Sequence, residues 1–164
     1  MARDIVIWPA AVLSTATQPV TDFGPALVAL LEQLREAMVA HKGIGIAANQ
    51  IGIPLRAALV GRGDGTFVEM INPTITAHRG EVTYAEGCLS VPGEEEQVVR
   101  FAEVDVTWKD RAGNTQSETA RERFAHVVQH EVDHLDGTVY VMRISSLKRD
   151  MIRRKMLKLQ KEQD

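Results

Sequence analysis

Gln129-His130-Glu131-Val132-Asp133-His134 decides the reading of this chain, because its HExxH spacing sets two imidazoles one helical turn apart with a carboxylate beside them. At about 100° per residue the two histidines lie about 40° apart on one helix face, so both rings reach a single divalent ion. From Phe124 an apolar stripe runs through Val127, Val128 and Leu135, and Glu131 falls in the middle of it. An unpaired buried carboxylate is costly, and a neighbouring cation explains why one stands where a core residue is expected. The plainer alternative, an exposed run of polar helix residues, does not account for that phase.

Two ligands do not complete a site. A third histidine six residues on would extend the motif, but His134-Leu135-Asp136-Gly137-Thr138-Val139-Tyr140 keeps the glycine and puts Tyr140 in the ligand position. The better candidate is the only cysteine, Cys88, in Glu86-Gly87-Cys88-Leu89-Ser90. A thiolate is a strong ligand for Zn(II) and Fe(II), and three protein ligands leave one position for water. Against this stands the ordinary reading of a lone cysteine as a small buried hydrophobe. A third stretch, His41-Lys42-Gly43-Ile44-Gly45-Ile46-Ala47-Ala48-Asn49-Gln50-Ile51-Gly52, is built from small residues that leave the backbone accessible, with one amide side chain near its end. No Lys-Ser/Thr follows the glycines and no dinucleotide spacing is present, so it is a poor phosphate loop; its bland reading is a tight turn between helix and strand.

Taken in order, GIGIAANQ, EGCLS and QHEVDH resemble the three signature motifs of the peptide deformylase family. The resemblance covers nearly the whole chain, with Ile71-Asn72-Pro73 similar to the family's strand before the cysteine motif and Ser145 onward similar to its C-terminal helix. It implies an α+β fold in which antiparallel sheets surround the metal-binding HExxH helix, with a C-terminal helix, and an enzyme that removes formyl from N-formylmethionyl peptides. It implies one divalent metal on Cys88, His130 and His134: Fe(II) in the cell, with Zn(II), Ni(II) and Co(II) also accepted by such donors. Glu131 would carry the proton, and the Gln50 amide with the Leu89 backbone N–H would face the oxyanion. The Gly45 backbone would lie along the bound peptide, Ile44 and Leu89 would help form the pocket for its side chain, and Arg123, His126 and Val127 would complete the substrate-binding set at that pocket.

The chain departs from the family at several of these places. Ile46 and Asn49 stand where leucine and often proline are usual, and Glu94-Glu95-Glu96 occupies a stretch that often carries a basic residue near the peptide. Arg123 and His126 stand where apolar residues usually line the methionine pocket, and helical phase puts both within about 40° of His130. Both could instead point to solvent at the rim, or Arg123 could pair with the nearby glutamates. Two alternatives follow: a related metal amidase for a different formyl or acyl compound, and a non-catalytic metal-binding relative. Intact Gln50, Cys88, His130, Glu131 and His134 oppose the second. The cysteine and the Gln50 loop disfavour a generic HExxH peptidase.

The chain has 164 residues, 45% of them hydrophobic, which suits one domain over 1–164 with its own core. A net charge of −3 gives no global attraction to DNA or a membrane, and no stretch approaches the ~20 apolar residues of a membrane span. Met1-Ala2-Arg3-Asp4-Ile5-Val6-Ile7 lacks the apolar core of a signal peptide, so a cytoplasmic location is expected. A single cysteine excludes an intramolecular disulfide, and a reducing compartment suits a thiolate ligand. In the last segment Lys148, Arg149, Arg153, Arg154, Lys155, Lys158 and Lys161 outnumber Asp150. That basic face is either a solvated surface or a contact for ribosomal RNA near the emerging chain.

Between these landmarks, Thr21-Asp22 is expected to cap a helix with Pro25 in its first turn and Leu27, Leu30, Leu31, Leu34 and Met38 on its buried face, ending before Gly43. Residues 54–60 and 67–71 read as strands around the turn at 61–65, whose Arg-Gly-Asp is turn chemistry. Residues 101–109 and 115–121 read as a hairpin across Asp110-Arg111-Ala112-Gly113-Asn114. The metal helix should stop at Gly137, residues 138–142 form a short strand, and Ser145 cap a final helix.

Overall fold

The computed structural model describes residues 2–163. Strands β1 (Gly45–Ala47), β2 (Ala57–Gly61), β3 (Phe67–Arg79), β6 (Glu103–Lys109) and β7 (Thr115–Arg121) form one antiparallel sheet in the order β1-β2-β3-β6-β7. Strands β4 (Val82–Cys88) and β5 (Val91–Arg100) form a separate antiparallel pair. Among the described residues three α-helices complete the fold: α1 (Pro25–Ala40), α2 (Glu122–Leu135) and α3 (Ser146–Gln163). This is the α+β arrangement expected from the sequence.

Strand alternation explains how the sheet carries a helix on each face. Along β2, Ala58 and Val60 join Phe124, Val127, Val128 and Leu135 of α2 in one core. The alternate residues Ala57 and Leu59 join Leu27, Leu31, Leu34 and Met38 of α1 in another. Both faces of β2 are therefore buried, which is why it reads as an unbroken apolar run. A third core unites Trp8, Val91, Val98, Tyr140, Ile152 and Met156, and so ties β5 to α3. The helix bearing the two histidines thus lies against β1 and β2, close to the glycine loop at residues 43–45.

Several local expectations need correction. The N-cap of α1 is Gly24, not Thr21 or Asp22; Asp22 instead accepts the Gly24 N–H at 2.9 Å. The strand expected at 54–60 begins only at Ala57, and β3 runs on to Arg79. Residues 138–142 form no strand: a 3₁₀ turn spans Tyr140–Arg143, and its Tyr140 and Val141 pack into the third core instead of pairing with a sheet edge. The β4–β5 hairpin was not expected, because glutamates are depleted from strands. Here Lys155 from α3 pairs with Glu94 at 2.7 Å and Lys148 with Glu96 at 3.1 Å. Among the described residues only Glu95 of that triplet lacks a cationic partner, so the acidic patch is largely neutralised. The turn at 61–65 is as read, with Asp64 accepting the Thr66 N–H at 2.9 Å and its hydroxyl at 2.6 Å. Ser145 caps α3 through its hydroxyl, which accepts the Lys148 N–H at 3.2 Å.

Candidate metal centre

Helix α2 brings His130 and His134 to one point, and the end of β4 brings Cys88 to meet them. The two Nε2 atoms are 3.2 Å apart, and Cys88 Sγ is 3.2 Å from His134 Nε2. At Zn–N lengths of about 2.0–2.1 Å and Zn–S of about 2.3 Å, a tetrahedral centre separates its nitrogens by about 3.3 Å and nitrogen from sulfur by about 3.6 Å. Both of these separations stand within a few tenths of an ångström of that spacing, and all three donor atoms lie within 4.8 Å of one another, so the residues fit a metal ion of this size. Their electrostatics agree. Burial opposes a charge on His130, yet hydrogen bonding to Cys88 and Glu86 and the nearby Glu131 raise its pKa well above the usual value. Burial, with the adjacent His130, pushes His134 the other way, well below the usual value, so its imidazole is held in the neutral form that can ligate a metal.

Glu131, 3% exposed, sits beside the donors with Oε1 unpartnered. Burial pushes its carboxyl up to about 7, against the opposing pull of His130. Its other oxygen crowds β1: a Cβ added at Gly45 would lie 2.5 Å from Glu131 Oε2. The glycine loop is therefore small because the carboxylate needs the space. Gln50, in the 3₁₀ turn Ala48–Ile51, has its amide orientation fixed. Its Oε1 accepts the Ala47 N–H at 2.9 Å, leaving Nε2 to face Ser90 Oγ at 3.2 Å and Cys88 Sγ at 3.5 Å. The Ser90 N–H also points at the sulfur, at 3.4 Å. Two neutral donors therefore face the sulfur. Neighbouring Asn49 donates to the His134 carbonyl at 2.6 Å, pinning the end of α2 to the loop.

Behind the ligands lies a buried polar network that sequence reasoning missed. Glu86 accepts two hydrogen bonds from Arg100, Nε at 3.0 Å and the terminal nitrogen closer still. His126 Nε2 lies 2.9 Å from its Oε2, and His130 Nδ1 lies 2.5 Å from its Oε1. Burial works against ionisation of Glu86, but these donors hold its carboxyl far below the usual range. Arg100 continues to Asp133 at 2.6 Å, which Arg143 grips with two bonds at 2.6 and 2.7 Å. A ligating histidine usually gives its second nitrogen to a carboxylate, and that rule would have pointed to Glu86 inside its own motif.

Two hollows adjoin the centre. One, of about 60 Å³, is lined by Ile44, Gly87, Arg123, His126, Val127 and Glu131 among others. The other, of about 540 Å³, runs from His41 through Gly45 to Leu89 and Glu94. Every residue singled out from the sequence for the site therefore lies at the centre or in one of these hollows. His126 is buried, whereas Arg123 is exposed at the rim while still lining the smaller hollow. Arg123 forms no ion pair among the described residues; its stem lies over Gly63, where an added Cβ would meet it at 3.2 Å.

Comparisons with known proteins point one way. The family model described as polypeptide deformylase matches residues 2–150. A peptide deformylase of Helicobacter pylori is 38% identical over 167 aligned positions, covering 98% of this chain and 96% of the relative. One from Acidobacterium capsulatum is 40% identical over 168, covering 98% and 97%. The crystal structure of a peptide deformylase from Legionella pneumophila superposes with a TM-score of 0.92 at 37% identity, covering 99% of this chain and 98% of that one. The Ehrlichia chaffeensis peptide deformylase in complex with actinonin gives 0.89 at 32%, covering 96% of each. On motifs, donor geometry, whole-length similarity and fold, the chain belongs to the polypeptide deformylase family, whose members are metal-dependent hydrolases.

Proposed function

We propose that this protein removes the formyl group from N-formylmethionyl peptides and releases formate, with Cys88, His130 and His134 holding one divalent ion and Glu131 moving the proton. The convergence of those three donor atoms beside the buried, unpartnered Glu131 carries the reading. An ion held there would supply two things, a water acidified towards neutrality and a polarised formyl carbonyl. Glu131 takes the proton of the attacking water and returns it to the departing amine nitrogen. The Gln50 Nε2 and the Leu89 backbone N–H donate to the oxygen on which negative charge develops, and the bond from Ala47 keeps the Gln50 donor facing that way.

The peptide main chain lies along β1, an edge strand of the larger sheet that borders the larger hollow at Gly45. Ile44, Gly45 and Leu89 line that path, and Ile44, Arg123, His126 and Val127 surround the first side chain. The polar Arg123 and His126 favour, as the second reading, an amidase for a formyl compound with a less apolar first group. The ion in the cell is Fe(II), by similarity to the family, in a single domain over 1–164 placed in the cytoplasm. No helix among the described residues is long and apolar enough to cross a membrane. Contact with ribosomal RNA rests on Arg149, Arg154, Lys158 and Lys161 of α3, which have no carboxylate partners among the described residues. Reversing those four charges should abolish salt-sensitive co-sedimentation with ribosomes, and unchanged co-sedimentation removes that partner.

The test of the main reading is release of the free methionyl amine from formyl-Met and acetyl-Met peptides by the anaerobically prepared protein, with formate the co-product of the first and acetate of the second. Rapid release from the formyl peptide alone is expected. Equal rates on both, or no release from either with metal bound, would overturn it.

A further inference from the structure

His126 belongs to two places at once. Its ring is part of the wall of the 60 Å³ cavity beside Ile44, Arg123 and Val127. Its Nε2 also reaches Glu86, the carboxylate that partners Nδ1 of the metal-site histidine His130. The ring is held in place from its flat side by Tyr84, with centroids 4.3 Å apart and planes within 3°. The Glu86 carboxylate offers about four acceptor sites. Arg100 fills two, His130 one and His126 the last. His126 therefore saturates a carboxylate whose orientation sets that of His130. Sequence phase had placed it only in the pocket wall.

We infer that His126 is a positioning residue for the metal centre, acting on His130 through Glu86. The side-chain cavity and the metal site then share one hydrogen-bond network. This rests on the reading of Cys88, His130 and His134 as ligands. Without the His126 donor, Glu86 loses one of its two anchors at Oε2, and its grip on the His130 ring slackens. Partners of ligating groups commonly govern metal affinity by about 10- to 100-fold; one step further out, His126 should act at the lower end of that range, about 10-fold.

Two variants separate the donor from the ring. His126→Phe keeps the stack on Tyr84 and deletes the donor; His126→Gln deletes the ring and keeps an N–H that reaches Glu86. Arg123→Leu changes the same cavity without touching Glu86. Each full-length protein is stripped of metal, its thermal midpoint recorded, and its Co(II) affinity measured by chelator competition along with the visible Co(II) spectrum. The expected result is a Kd raised about 10-fold with an altered spectrum in His126→Phe. His126→Gln should recover most of the affinity, and Arg123→Leu should match the parent. A Phe variant within about twofold of the parent would overturn the inference, as would equal losses in Phe and Gln, which mark a packing effect. A Phe variant that does not fold shifts the decision to Gln, whose affinity must then stay near the parent's. Failure of the parent itself to bind Co(II) would overturn the ligand reading and the inference with it.

Discussion

Replacing Gly45 with alanine tests where the Glu131 carboxylate stands. The added methyl would lie 2.5 Å from Glu131 Oε2 and 3.1 Å from the Leu59 carbonyl, whereas ordinary contact begins at 3.4 Å. Something must give by about 0.9 Å. The carbonyl belongs to β2, which is buried from Ala57 to Gly61 and paired on both sides, so the strand cannot back away. The carboxylate moves instead. A misplacement of about 1 Å in a reacting group costs on the order of 100-fold in rate, equivalent to about 2.7 kcal/mol. Overpacking should also lower stability by about 1–3 kcal/mol. The assay is formate release from a formyl-Met peptide, with bound metal and the urea midpoint measured on the same preparation. We expect metal retained, kcat down about 100-fold and KM changed little. Shortening the carboxylate in Gly45→Ala/Glu131→Asp should recover the midpoint without the turnover. A Gly45→Ala enzyme as fast as the parent would mean that Glu131 does not occupy the space beside β1.

Gln50→Ala should lower kcat by about 100- to 1,000-fold while metal content stays intact, the cost of one oxyanion donor; loss of metal instead would make Gln50 a support for Cys88. Arg100→Met strips the buried Glu86 of its two-pronged partner and should destabilise the fold by about 3–5 kcal/mol in urea, whereas the exposed Arg79→Ala should shift the midpoint little. Equal shifts would show that Glu86 does not depend on its guanidinium. Arg123→Leu should raise kcat/KM for formyl-Met peptides roughly fivefold, for about 1 kcal/mol of recovered apolar burial, and change rates on small or polar first residues less. An unchanged ratio of rates would place Arg123 outside the first-side-chain pocket.

What the sequence discloses follows the range of the interactions involved. Helix α2 and its histidine face were legible because phase is local, and the buried Glu131 showed itself by interrupting an apolar stripe. The β6–β7 hairpin was legible from the turn-rich stretch Asp110-Arg111-Ala112-Gly113-Asn114 between its two strands. Strand β5 was hidden because Glu94 and Glu96 are stabilised by lysines more than fifty residues away on α3. The 3₁₀ turn at Tyr140–Arg143 was mistaken for a strand because Val139 and Val141 alternate as a strand would, and a short apolar run carries no period of its own. His126 shows the same limit within the site. Its helical phase put it near the cavity, but its bond to Glu86 joins residues forty positions apart.

The account turns on Glu131 moving a proton at a metal held by other residues, and one pair of measurements on Glu131→Gln addresses it: bound metal and formate release, taken from the same anaerobic preparation. The amide keeps the size of the side chain and cannot accept the proton, so metal should remain near one per chain while turnover falls by about 100-fold or more. Cys88→Ala provides the contrast, losing metal and activity together. A Gln variant that retains its metal and turns over at the parent's rate would contradict the account.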